Sequence, residues 1–146
     1  MVLQRTFPGL SKEQIDVIER ISHRRSCASG ENILHQGDVP DRLFVMLSGT
    51  ARVTLKRSES IDAEFTGPLG PGDLFGEFSF VDGAAASATI TADGEVDLIE
   101  IDGGKLHAAL DTDSGLAAAV FKSLLATVVR RLRNTNMRIV TPSDFE

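Results

Sequence analysis

One cysteine, Cys27, stands alone in 146 residues, which excludes an intrachain disulfide and any iron–sulfur cluster that needs several thiolates from one chain. Histidine is nearly as scarce. His23, His35 and His107 are isolated and form no H-x-H pair, so the clustered imidazoles of a metal enzyme are missing. No apolar run approaches the roughly 18 residues of a membrane span, and the first residues lack the basic-then-apolar order of a signal peptide; the expected location is the cytoplasm. Arginine is absent from Ser58 to Val129, where Lys105 and Lys122 are the only lysines. An anion bound by that stretch is held without a guanidinium from it.

What is present has the size and the apolar and charged fractions of one ordinary globular domain, read as a single unit over 1–146. Charge is segregated. The net charge is −6, yet the segment from Leu116 to Arg138 carries Lys122, Arg130, Arg131, Arg133 and Arg138 with no acid, leaving −11 for the remainder. Five cations on one helix read first as a solvated or partner-facing surface, and nucleic-acid contact is the lesser reading.

Ser11 to Gln14 spell an S-x-x-Q capping box, so a helix should start there, within an N-terminal helical region at 1–25. Leu10, Ile15, Ile18 and Ile21 give it an apolar face, and Arg24 and Arg25 suit its C-terminal end. From 26 to 102 the texture changes to short apolar runs between glycine-containing turns, the pattern of strands. Expected strands are Asn32 to His35, Leu43 to Leu47, Ala51 to Lys56, Ile61 to Leu69, Ala88 to Ala92 and Val96 to Ile101. Turns are expected at Ser48 and Gly49, at Gly70 to Asp73, and at Asp93 and Gly94. Strands so regularly spaced predict a sandwich or roll. Phe75 to Val81 breaks the series as a short helix opening at Gly76, where free N–H groups suit an anion.

The C-terminal part, 103–140, reads as a short turn or helix at Lys105 to Leu110 and a long helix from Asp113 or Ser114 to about Arg138. Along it, Phe121, Leu125, Val128, Leu132, Thr135 and Ile139 recur at spacings of 4, 3, 4, 3 and 4, a heptad seam. The seam predicts a homodimer; packing on the chain's own roll is the alternative. Leu116, Ala119 and Val120 are expected to face their own domain.

The stretch from Phe75 to Thr91, FGEFSFVDGAAASATIT, carries the most specific pattern. With Gly30 and Glu31, the QGD at Gln36 to Asp38, the strand from Leu43 ending at Gly49, and L-x-x-G-D over Leu69 to Asp73, it resembles the cyclic-nucleotide-binding domain family of catabolite activators, kinases and gated channels. The resemblance implies a mainly β fold with flanking helices, a double-stranded β-helix or jelly roll followed by a long C-terminal helix. It also implies a phosphate-binding cassette at 75–91. There Glu77 would accept the ribose 2′-hydroxyl, backbone N–H groups across Gly76, Phe78 and Ser79 would hold the nucleotide, and Ser87 would meet the cyclic phosphate. Thr135 and Asn136, within RRLRNTN, fall where the activator branch contacts the purine. The lone cysteine disfavours the oxygen-sensing branch.

Ala86 stands where the family places its phosphate arginine. Truncating one side of a charge-assisted phosphate contact costs about 2–5 kcal/mol, so cAMP or cGMP binding is expected to be weakened or lost. Arg130, Arg131 or Arg133 could reach in from the long helix as a substitute. The expected function is a non-enzymatic regulatory module that senses a cyclic nucleotide or another small anionic ligand. The alternative is a ligand-free dimerisation or interaction module with a vestigial pocket. Metal-dependent cupins share a similar roll, but lack of clustered histidines argues against that chemistry. Met137 to Glu146 is too short for a helix-turn-helix, so DNA binding is not expected, and an effector protein or a longer parent chain would supply the output.

Overall fold

Alternation along two long strands decides the architecture. The computed structural model describes the backbone of residues 2–58, 61–64 and 68–139, and the side chains of 2–55 and 68–134. Strand β3, Arg42–Ser58, sends Leu43 and Val45 to one face and Phe44 and Met46 to the other, all buried. Strand β6, Thr89–Asp102, does the same, with Ile101 on the first face and Val96 and Leu98 on the second. Each face of such a ribbon needs its own cover.

The first face is covered by helices. Two short ones, α1 (Val2–Thr6) and α2 (Lys12–Arg20), supply Leu3, Ile15 and Ile18, with Phe7 between them, and α4 (Gly103–Thr112) adds Leu106 and Leu110. The last helix, α5 (Ser114–Ile139), contributes Leu116, Val120 and Leu124. The second face curls on itself into the roll interior, where Cys27, Ile33, Phe44, Phe75, Ile90 and Leu98 meet.

Four further strands complete an antiparallel sheet ordered β1-β6-β3-β4: β1 (Ser22–Cys27), β2 (Asn32–Leu34) on β6, β4 (Ile61–Glu64), and β5 (Leu74–Phe75) on β3. No described helix is long and apolar enough to cross a membrane.

Several expectations are met and several are corrected. The capping box is present in full, with Gln14 N–H donating to Ser11 Oγ and Ser11 N–H to Gln14 Oε1. The helix it starts ends at Arg20, however, and Arg24 and Arg25 lie in β1, register partners of Ile99 and Leu98. A charged strand leaves no apolar alternation to read; its cross-strand partners supply carboxylates instead.

The turns expected at Ser48–Gly49 and Asp93–Gly94 do not end strands. β3 and β6 run through them as paired bends, Thr50 opposite Asp93, with register shifts at Met46/Ser48 and Ser48/Thr50. Gly49 makes this possible: at φ +90 a Cβ there would lie 2.3 Å from the Glu95 carbonyl oxygen. Of the strand expected from Ile61 to Leu69, β4 accounts for Ile61–Glu64 and Leu69 forms an isolated bridge to Ala51; 65–67 lie outside the described residues. The short segment expected at Lys105 to Leu110 is a ten-residue helix, N-capped by Asp102 accepting from Lys105 N–H.

Glu100 on β6 is buried and holds three elements together. It accepts from Arg25 on β1 and Arg42 on β3, each at 2.7 Å, while His23 Nε2 lies at 2.9 Å. Burial pushes its carboxyl up, but the Arg25 hydrogen bond and the charges of Arg42, Arg25 and His23 outweigh it and hold it below the ordinary 4.5. A carboxyl depressed in the folded state contributes stability that is complete above the unfolded value, near pH 4.5, and lost as pH falls through the folded value.

Breaking a fully buried pair costs about 3–5 kcal/mol, and the partial exposure of both arginines reduces this to about 2 kcal/mol. Glu100→Gln should therefore lower the melting temperature by roughly 4–8 °C at neutral pH. Thermal melts across pH should show the gap to wild type closing in acid.

Candidate functional site

The sequence from Leu74 to Ala88 folds into a bracket at the open end of the roll. Phe75 stacks on Phe44 with ring centroids 4.7 Å apart, which fixes the end of β5. Gly76 then turns the chain at φ +85, where a Cβ would sit 3.1 Å from the Arg42 carbonyl oxygen and 3.2 Å from the Phe44 ring. Only glycine fits that approach. The turn launches α3 (Glu77–Asp82) as expected, and Gly83 closes it in the left-handed region, donating to Ser79 O. His107 on α4 stacks on Phe80 at 4.0 Å and places Nε2 2.9 Å from its carbonyl oxygen, tying α3 to the helical layer.

Main-chain bonds hold Ala86 in place. Its N–H donates to Asp38 O at 2.7 Å, and its carbonyl accepts from Gly37 N–H at 2.9 Å. The QGD turn thus straps down Ala86. That residue is buried and offers a methyl group, while Ser87 beside it is exposed.

Between bracket and roll lies a cavity of about 460 Å³. The roll supplies Leu34, Val53, Leu55, Leu69, Phe75 and Ile90; the bracket supplies Gly76 to Ser79 and Ala86 to Ala88; α5 closes it with Val128, Arg131 and Leu132. The volume lies in the range of small-molecule sites. Glu77 and Arg131 are the only ionisable side chains in the lining among the described residues, and they meet each other. The Arg131 guanidinium donates to Glu77 Oε1 and to the Leu74 carbonyl oxygen. Glu77 is only 2% exposed and Arg131 18%. Next along the helix, Arg130 lies 3.7 Å from Asp73, so consecutive arginines attach α5 to the segment leading into α3.

Gly76, Glu77, Phe78, Ser79, Ala86 and Ser87, singled out from sequence, are thus brought to one cavity. The side chains of Thr135, Asn136 and Ile139 lie outside the described residues. Of the possible substitute arginines, Arg131 reaches the cavity, where its observed partners are protein groups. The apolar walls from the strands and the choice of Arg131 were not foreseen. Helical phase carried a signal for the latter: Val120, Leu124, Thr127 and Arg131 follow at spacings of 4, 3 and 4 on the side of α5 that packs inward.

The expected seam is divided. Leu116 and Val120 are buried and Ala119 is half-buried, in keeping with inward packing, while Val128 and Leu132 line the cavity. Phe121, Leu125, Val129 and Leu132 remain exposed at 43%, 64%, 41% and 58%. Among the described residues no group of His, Cys, Asp and Glu could hold a metal ion.

A family model described as the cyclic nucleotide-binding domain matches residues 24–113. The chain is 32% identical over 139 residues to a cyclic AMP receptor protein of Thermus thermophilus, covering 91% of this chain and 59% of that relative. Among solved structures, a cyclic nucleotide-binding domain from Methylobacillus flagellatus superposes with a TM-score of 0.86 at 23% identity, covering 95% of this chain and 80% of that one. The N-terminal domain of a transcriptional regulator from Streptomyces coelicolor gives 0.74 at 30% identity, covering 93% and 95%. With regulators among these relatives, the sequence expectation against DNA binding gains no support. The family match over residues 24–113, which holds most of the roll and its cassette, together with the 32% identical relative, establishes that the chain belongs to the cyclic nucleotide-binding domain family.

Proposed function

We propose that the chain is a non-enzymatic regulatory module that senses a small ligand between its cassette and α5, with affinity for cAMP and cGMP weakened or lost. The observation that carries this reading is the Arg131–Glu77 pair in a cavity whose phosphate position presents the Ala86 methyl. Glu77 is the carboxylate that the family resemblance assigns to the ribose. Here it is engaged by the chain's own helix, so a nucleotide would have to displace Arg131 and would find no guanidinium at residue 86.

A ligand whose affinity differs between two positions of α5 would shift the helix, and that difference in affinity sets the size of the response. Calorimetry should give no cAMP binding at micromolar concentrations for wild type. Ala86→Arg should gain at least about 30-fold, the lower end of a 2–5 kcal/mol contact. A micromolar constant for wild type would contradict the weakened site.

A second reading, dimerisation without a ligand, is favoured by the apolar residues that α5 leaves exposed, Phe121, Leu125, Val129 and Leu132. The two readings share a homodimer. A stripe of this kind is an interface feature rather than ordinary surface, with Thr135 and Ile139 proposed to extend it. Light scattering should report a dimer for wild type and a monomer for Leu125→Glu; a wild type that stays monomeric at high micromolar concentration would contradict the shared element.

A further inference from the structure

We propose that the cavity takes an uncharged, mainly apolar small molecule carrying a single hydroxyl or carbonyl group; this deepens, and rests on, the sensing reading above. The walls decide the body of the ligand. Leu34, Val53, Leu69, Phe75 and Ile90 from the roll face Val128 from the helix, and burial of apolar ligand surface against such walls is the main favourable contribution to binding.

The charge balance decides its head. Glu77 and Arg131 are the only lining charges among the described residues and neutralise each other. An anion would have to draw Arg131 away and leave a carboxylate that is 2% exposed without its partner, the costly way to open a buried pair. A neutral molecule leaves the pair intact.

One polar group remains to be met. Ser79 is 6% exposed and lines the cavity, and its hydroxyl has no hydrogen-bond partner among the described residues. A buried hydroxyl in that state carries a desolvation cost that one ligand hydroxyl or carbonyl would remove. Ala86 and Ala88 add methyl groups to the lining.

The uncharged fluorophore Nile red, titrated into the full chain near neutral pH, should bind saturably at one site per chain. Decanol and decanoate have the same chain length and differ in charge. Decanol should displace the dye at a concentration about tenfold lower, a factor that corresponds to about 1.4 kcal/mol. Val53→Trp, which fills the cavity, should weaken dye binding by about tenfold or more. Ser79→Ala, a small change that spares the fold, should weaken displacement by decanol by about threefold or more, the worth of one hydrogen bond, while decanol keeps its advantage over decanoate.

Leu125→Glu, on the outer face of α5, should leave dye affinity within about twofold. Absence of saturable binding, decanoate competing as well as decanol, or loss of binding in Leu125→Glu with retention in Val53→Trp would each overturn the proposal. Displacement of the dye by micromolar cAMP would instead contradict the weakened nucleotide site, while decanol against decanoate still reports on the ligand's charge, so the two failures are distinguishable.

Discussion

The contact on which the site depends is the ion pair between Arg131 and Glu77, reinforced by the Leu74 carbonyl. It joins the only two charged side chains of the lining among the described residues, one from the segment that shapes the cavity and one from the helix that covers it. Because both are largely withdrawn from water, neither can leave without a ligand or solvent taking over its partner's role. The position of α5, the neutrality of the cavity and the availability of Glu77 are therefore coupled. Within the cavity the chain presents a methyl group at Ala86 and, at Glu77, a carboxylate already engaged by Arg131.

That pair can form only because the fold brings its two ends together. The first face of the β3–β6 ribbon buries the N-terminal half of α5 through Leu116, Val120 and Leu124, which sets the helix's direction. Continuing past the edge of the sheet, the helix reaches the open end of the roll. Phe75 stacked on Phe44 and the close approach at Gly76 fix the other half of the contact. Both halves rest on adjacent residues of β3: Val45 lies opposite Leu74 and Phe44 opposite Phe75, one pair on each face. The helical layer and the ligand cavity are thus built from alternate side chains of one strand, so a shift on one side has a short path to the other.

The roll and the cassette were legible because they depend on backbone geometry that few residues satisfy. Gly49 and Gly76 take positive φ where a Cβ would clash with or crowd main-chain atoms, at 2.3 and 3.1 Å, and such positions leave a readable mark. Strand β1 was not legible: SHRRSC is paired with β6 through Glu100 and Asp97 rather than through apolar neighbours, and a hydrophobic period cannot register a strand whose contacts are ionic. The bends at Gly49 and Gly94 looked like ends because a glycine turn and a glycine bend have the same local signature, and only the partner strand distinguishes them. Within the site, Gly76, Glu77 and Ser87 could be read from a motif. The choice of Arg131 could not be read from its chemistry, which Arg130 and Arg133 share; only its helical phase with Val120, Leu124 and Thr127 separates it from them.

The most direct test is a double-mutant cycle on the ligand-free protein, with Glu77→Gln, Arg131→Met and the two combined, followed by denaturant unfolding. If the pair closes the cavity, each single variant loses stability and the double variant loses less than their sum, with a coupling of about 1–3 kcal/mol. Losses that add to within about 0.3–0.5 kcal/mol would show that Arg131 and Glu77 act independently, and the account of a cavity closed by its own helix would fail.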